Sequence, residues 1–339
     1  LAALESLLGG ITTALDMYYL PDAALEVAAR SGMRVHCGPN LLESDGPEPL
    51  PFAKRMAWAN EWLTESVNRE QEFSLPNGFD SLNWLSPHST YLLGEDHLNQ
   101  ISALAKQHGA HIHVHAAETI GEMSLVSKRH NGRTPIQVLA DTHLLANAVI
   151  AHGVHLNDTD IAMIAQHGAS VTHCPASNYK LASGTARIVE LHKQGVNVAL
   201  GTDGPASGND LDLWLAMRLA GYVQKTAASD PTVLPALDVL RMATINGAKA
   251  LHIDHLVGSL EVGKYADLVV LDAFSPSLTP VFDPHVAIVA AAGRGDVSHV
   301  VVHGQVVVRD RVALTIEARA VVDRANKLTP AILASVARN

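Results

Sequence analysis

The chain has 339 residues, with 24 Lys plus Arg against 34 Asp plus Glu and a formal net charge of −10. That length holds one large domain or two ordinary ones with a sizeable core, and the acidic balance argues against a broad electrostatic grip on nucleic-acid phosphates. Hydrophobic residues make up 47% and charged residues 17%, which excludes a disordered chain, and no apolar run reaches the roughly 18 residues of a membrane span.

Small molecules are therefore the expected partners, with no nucleic acid and no membrane. Two cysteines, Cys37 and Cys174, are too few for a disulfide framework, and no basic start precedes an apolar signal segment, so the expected location is the cytoplasm. The 19 histidines are the compositional anomaly, because imidazole is the commonest metal ligand and titrates near neutrality.

Residue 1 is Leu, and LAALESLLGG reads as the tail of an apolar helix, so the chain is expected to start mid-structure. ITTALDMYY is then a β-rich run, and PDAALEVAARSG a helix with Pro near its start and Gly just past its end. The unit repeats. Strands are expected to start near Ile11, Met33, Ser81, Ala110, Asn147, Ala169 and Val196, separated by helical stretches such as FAKRMAWANEWLTES, EDHLNQISALAKQHG and DTDIAMIAQHG. Strands alternating with helices argue a parallel sheet. Seven strands are one short of a TIM-like (β/α)8 barrel, the missing unit being the one expected before the opening helix; an open doubly wound sheet is the competing arrangement. Near Leu256 the pattern changes to short β runs with Gly between them, followed by a helical tail from about Ile316 to Val336. The expected division is thus a barrel over 1–255, a small β portion over 256–315 and a tail over 316–339.

In HIHVHAAET, alternation puts His111, His113 and His115 on one strand face, with His115 nearest the C-terminal end where barrel active sites lie. Glu118 follows on the exit loop. His111 and His113 sit deeper and suit packing, and a polar interior of hydrogen-bonded histidines is the alternative for the whole segment. GTDGPASGND ends the last strand with Asp203, whose ordinary role in such a turn is an Asx turn or a helix cap. His152 ends the strand in IAHGVHL, His155 beyond it is expected at the surface, and His88 lies on the exit loop SPHSTY. Each has a bland reading alone. Four strand ends offering His88, His115 with Glu118, His152 and Asp203 are more than packing requires. Imidazole and carboxylate at a barrel mouth suit a divalent metal with an open position for water, whose pKa falls to about 7 when bound. No GxGxxG, Walker loop or GxSxG elbow occurs.

These segments, with THCPASNYKLASG, MATINGAKAL and GSLEVGKYADLVVLD, resemble the amidohydrolase superfamily, and within it the 5-methylthioadenosine/S-adenosylhomocysteine deaminases and their ATZ/TRZ-type chlorohydrolase relatives. The spacing from His115 to Asp203 also looks like the deaminase pattern. The resemblance implies that His115 and Asp203 are metal ligands, that Glu118 moves protons and contacts substrate, that His88 contacts substrate, and that His152 orients the attacked group or the water. Asn178 and Lys180 are implied as shaping the pocket. Arg55 and Arg69 are candidates for holding a substrate carboxylate. The cofactor implied is one divalent metal, zinc first with iron or manganese allowed, and the C-terminal β runs look like part of a composite β-sandwich.

The family's first strand carries a His-x-His pair supplying two more ligands, and residues 1–339 do not contain it; the two further histidines are expected upstream of Leu1. The implied activity is hydrolytic deamination of an adenine nucleoside to its inosine form. A guanine or other aminopurine deaminase and a triazine chlorohydrolase are alternatives, and a catalytically inactive barrel is the alternative of another class. Such barrels commonly form homo-oligomers.

Overall fold

The computed structural model describes residues 1–43, 50–73, 75, 79 and 81–336; the last three residues of the expected C-terminal tail lie outside them. Strands β1 (Thr13–Asp16) and β2 (Arg34–Cys37) pair in parallel, Thr13 against Arg34 through Asp16 against Cys37. Strands β3 (Asn40–Leu41), β4 (Trp84–Pro87), β5 (His111–Ala116), β6 (Val149–His152), β7 (Ser170–His173) and β8 (Asn197–Leu200) form a parallel sheet in that order.

The strand expected from Met33 is divided into β2 and β3 at Gly38 and Pro39. At the break the Cys37 N–H donates to the Ser81 carbonyl at 3.0 Å, which ties β2 to the segment leading into β4. A Cβ at residue 38 would stand 2.0 Å from the Trp84 carbonyl oxygen, so only glycine lets the two backbones approach this closely. Seven strand positions therefore succeed one another, divided among the described residues into a two-stranded sheet, β1-β2, and a six-stranded sheet running from β3 to β8.

Alternation along each strand decides which side chains meet the helices. Ile112 and Val114 of β5, Ile150 of β6, Val171 of β7 and Val198 of β8 are buried in the main core with Leu98, Ile101, Ile136, Ile161 and Ile164 of the outer helices. Each such fully buried aliphatic contributes about 1.5–3 kcal/mol. Trp84, Val149 and Ala199 form a separate small cluster with Ala250. The helix ends follow their local signals. Gly32 and Gly109 close Pro21–Ser31 and Glu95–His108 in the left-handed region at φ 76° and 64°. Thr134 with Gln137 and Asn157 with Asp160 form capping boxes.

Strands β9 (Leu268–Leu271), β10 (Val297–Val302), β11 (Gln305–Arg309) and β12 (Val312–Ala313) make one antiparallel sheet in the order β12-β11-β10-β9. Val297, Val300, Val302, Val307 and Val308 share the main core with Ala3 and Leu7 of the opening helix, so sheet and barrel are joined by continuous packing. A buried ion pair joins them again, from the Arg34 guanidinium on β2 to the Asp267 carboxylate, which also accepts the His303 N–H at 2.8 Å. The last helix, Ala318–Val336, lies largely exposed. Among the described residues no helix is long and apolar enough to cross a membrane.

Candidate active site

The C-terminal ends of β4 to β8 carry the polar cluster, as parallel-barrel topology dictates. His115, on the last turn of β5, donates its Nδ1–H to the His88 carbonyl at 2.9 Å, which leaves Nε2 as the lone-pair nitrogen. Its ring lies 4.8 Å from that of His88 and stacks on His152 at 5.5 Å. Burial, then the neighbouring His152, hold His115 below the usual imidazole range, with the charges of Glu118 and Asp203 opposing. His88 is pushed down to about 4 by burial and then by His115, so it is neutral at pH 7.

Beyond β5 the backbone turns sharply. Ala117 adopts φ 55°, His152 at the end of β6 φ 76°, and Asp203 beyond β8 φ 59°. Left-handed non-glycine residues cost of order 1–3 kcal/mol each and persist where their surroundings over-determine them. At the first turn the over-determination comes from Glu122: its carboxylate accepts the N–H groups of Ala117 at 3.0 Å and Glu118 at 2.6 Å. Burial pushes the Glu122 carboxyl up, against those backbone donors. Glu118, carried on this clamped turn, places Oε2 3.8 Å from His152 Nε2.

His152 Nδ1 lies 2.9 Å from Asn178 Oδ1. A carbonyl oxygen only accepts, so Nδ1 carries the proton. Asp203 is held through both oxygens: Oδ1 accepts the Gly204 N–H and Oδ2 the Ser177 hydroxyl, each at 2.6 Å.

Other sequence candidates lie elsewhere or act differently. His113 is buried and is pushed down to about 3 by burial, then by His115 and His152. His111 stacks on His252 at 4.6 Å, away from the mouth. His155, expected at the surface, is half-buried because its Nε2–H donates to the Ser183 carbonyl at 2.7 Å. Asn178 is fully buried and grips His152 instead of facing a pocket. Lys180 donates to the Ala206 carbonyl at 3.1 Å. Arg69 is committed on the outer layer, paired with Asp22 and lying over the Trp62 ring. Arg55 is fully buried within Phe52–Glu72. Sequence reasoning missed Ser177, Glu122, the buried His173 and Asp16, whose carboxyl at the end of β1 is raised by burial. A carboxylate in a β-rich run was the available signal for Asp16.

The donor chemistry suits a divalent cation: a neutral imidazole anchored through Nδ1, and a carboxylate. The number does not suffice by itself, since among the described residues no group of three or more His, Cys, Asp or Glu could hold a metal ion, and a catalytic zinc takes three protein ligands.

Residues 1–307 match the model of the amidohydrolase family. A 5-methylthioadenosine/S-adenosylhomocysteine deaminase of Desulforudis audaxviator is 36% identical over 99% of this chain and 76% of its own length. A 5'-deoxyadenosine deaminase of Methanosarcina mazei is 35% identical over 99% and 75%. Among solved structures, an adenosine deaminase from Xanthomonas campestris with bound zinc aligns with a TM-score of 0.90 at 29% identity, covering 98% of this chain and 74% of that one. An atrazine chlorohydrolase from Arthrobacter aurescens, at 24% identity and a TM-score of 0.84 over 96% and 75%, shares the fold. The chain belongs to the amidohydrolase family.

Proposed function

We propose that this protein is a hydrolytic deaminase of an adenine nucleoside of the 5-methylthioadenosine or S-adenosylhomocysteine kind. The observation that carries the reading is the facing pair Glu118 and His152, 3.8 Å apart, beside the His115 ring, which feels the charges of both Glu118 and Asp203. The names of the relatives supply the substrate class.

The cofactor in this reading is one divalent ion, zinc in preference to iron or manganese, which His115 and Asp203 would hold. When bound, it makes hydroxide available at neutral pH by lowering the pKa of water to about 7. The remaining work falls to side chains. Asp203 accepts the proton released as water adds to C6 of the purine. Glu118 gives a proton to ring N1, and His152 orients the entering oxygen. Asp203 then passes the proton it took from water to the exocyclic amine, the C6–N bond breaks as ammonia leaves, and the proton of the C6 hydroxyl returns to Glu118, so that one water is consumed for one ammonia released. His88, neutral at pH 7, offers a hydrogen bond to an uncharged heterocycle without a desolvated charge to compensate.

The test is ammonia release by the purified protein with zinc supplied, screened over methylthioadenosine, S-adenosylhomocysteine, adenosine, guanine and triazines. Release from the adenine thionucleosides is expected, and zinc-loaded protein inert toward every aminopurine overturns the reading. The two-donor count favours one second reading, a barrel without turnover. Zinc content near zero per chain, together with inertness, is its signature.

A further inference from the structure

The short helix Pro175–Lys180 follows β7, and β7 lies in the sheet between β6 and β8. Its chain therefore leaves the barrel between the strand ends that carry His152 and Asp203. Two consecutive residues of this helix, Ser177 and Asn178, are both fully buried. They reach in opposite directions: the Ser177 hydroxyl donates to Asp203 Oδ2 at 2.6 Å, and Asn178 Oδ1 accepts the His152 Nδ1–H at 2.9 Å. Both partners are non-glycine residues in the left-handed region, at φ 59° and 76°, where the backbone alone does not hold them. The ends of β7 and β8 lie close together here, since a Cβ at Gly201 would meet the Thr172 methyl at 2.9 Å and Cys174 Sγ at 3.0 Å.

We propose that Ser177 and Asn178 are paired positioning residues for the reaction, one bracket setting both the Asp203 carboxylate and the His152 ring. The inference rests on the deaminase reading for its kinetic consequence and on geometry alone for its structural one. Asn178 holds a proton on Nδ1 of His152 and so turns Nε2 toward Glu118. Ser177 fixes the rotation of the Asp203 carboxylate. Neither side chain touches substrate in this scheme. Their loss therefore lowers kcat and leaves KM nearly unchanged, because groups aligned only for the transition state are disturbed.

The test has two arms. In the first, histidine-selective 15N NMR reads which ring nitrogen of His152 carries the proton, with His152→Gln assigning the signal. Wild type and Ser177→Ala are expected to show the Nδ1–H form, and Asn178→Ala a mixture or the Nε2–H form. Crystals of Ser177→Ala are expected to show the Asp203 carboxylate rotated, and those of Ser177→Thr to show it in place. In the second arm, Ser177→Ala and Asn178→Ala each lower kcat by about 10- to 100-fold, the usual cost of losing a residue that orients a site group. KM stays within about threefold, and Ser177→Thr recovers most of the loss. An unchanged His152 tautomer in Asn178→Ala and an unmoved Asp203 in Ser177→Ala overturn the bracket, whatever the substrate. Loss of KM and kcat together with a large fall in thermal midpoint, unrelieved by Ser177→Thr, also overturns it. A wild-type protein inert toward every nucleoside removes the deaminase reading and leaves the first arm to decide the bracket.

Discussion

Glu118 Oε2 and His152 Nε2 face each other at 3.8 Å across the ends of two neighbouring strands, and Nε2 is the ring nitrogen left over after Nδ1 has donated to Asn178. The separation is too long for a direct hydrogen bond and leaves room for a bridging atom to pass a proton. Glu118→Gln keeps the shape and one acceptor oxygen but removes the titratable group. Turnover is expected to fall by about 100-fold or more, the typical range for general acid–base loss, while zinc content and thermal midpoint stay at wild-type values. Ammonia-release rates with metal analysis check this, and unchanged turnover would remove Glu118 from proton transfer.

Glu122 acts one step behind. Its carboxylate takes the N–H groups of Ala117 and Glu118 and thereby holds a left-handed alanine. Glu122→Ala orphans both donors, at about 1–3 kcal/mol for each that stays buried. Urea titration is expected to show that loss, with kcat falling more than KM rises. Glu122→Gln keeps one acceptor and is expected to lie between. A variant as stable and as active as wild type would show that the turn holds itself.

The alternation that makes Glu118 and His115 identifiable is local, and so it was legible: HIHVHAAET sends Ile112 and Val114 to the core and the histidines to the other face. The glycines closing Pro21–Ser31 and Glu95–His108 were legible for the same reason. Ser177 and Asn178 were not, because the partners at 203 and 152 are set by the neighbours of β7 in the sheet, which no local pattern encodes. Nor was the break at Gly38, imposed by the Trp84 carbonyl of another strand. His155 misled for a related reason: a loop histidine is ordinarily exposed, and this one is drawn in by the Ser183 carbonyl.

The histidines inside the barrel set how the fold responds to acid. Burial first of all holds His36, His113 and His173 down to about 3, with Arg34 adding to the effect at His36. An unfolded imidazole titrates near 6.5, at about that pH. Between about 3 and 6.5 the unfolded chain therefore binds more protons than the folded one, so these groups leave stability intact above about 6.5 and remove it as pH falls through that window. The slope is on the order of 1 kcal/mol per pH unit for each histidine. Asp16 and Glu122, raised by burial, act in the opposite sense, since their neutral forms are favoured in the fold. Urea midpoints are expected to drop from about pH 7.5 to about pH 5.5, where the imidazoles dominate, and His36→Gln is expected to flatten that drop. A midpoint that holds or rises on acidification would contradict the assignment.

Arg34 and Asp267 test whether the small sheet is fastened to the barrel by charge as well as by packing. Their side chains are 2% and 7% exposed, the guanidinium also donates to the Thr13 hydroxyl at 2.8 Å, and it lies 4.1 Å from the centre of the Phe79 ring. Asp267→Ala leaves a buried cation with a neutral hydroxyl and an aromatic face, and frees the His303 N–H. Removing one partner of a buried pair costs about 3–5 kcal/mol, whereas replacing both by apolar groups of similar volume is often neutral. Asp267→Ala is therefore expected to lower the urea midpoint strongly, and Arg34→Met with Asp267→Leu to restore much of the loss. Because the shared core around Val297 and Val300 remains, the two parts should still unfold in a single transition. Separate melting of sheet and barrel in Asp267→Ala, followed by fluorescence of the four tryptophans, all in the barrel, and by circular dichroism, would show that the ion pair rather than the packing couples them.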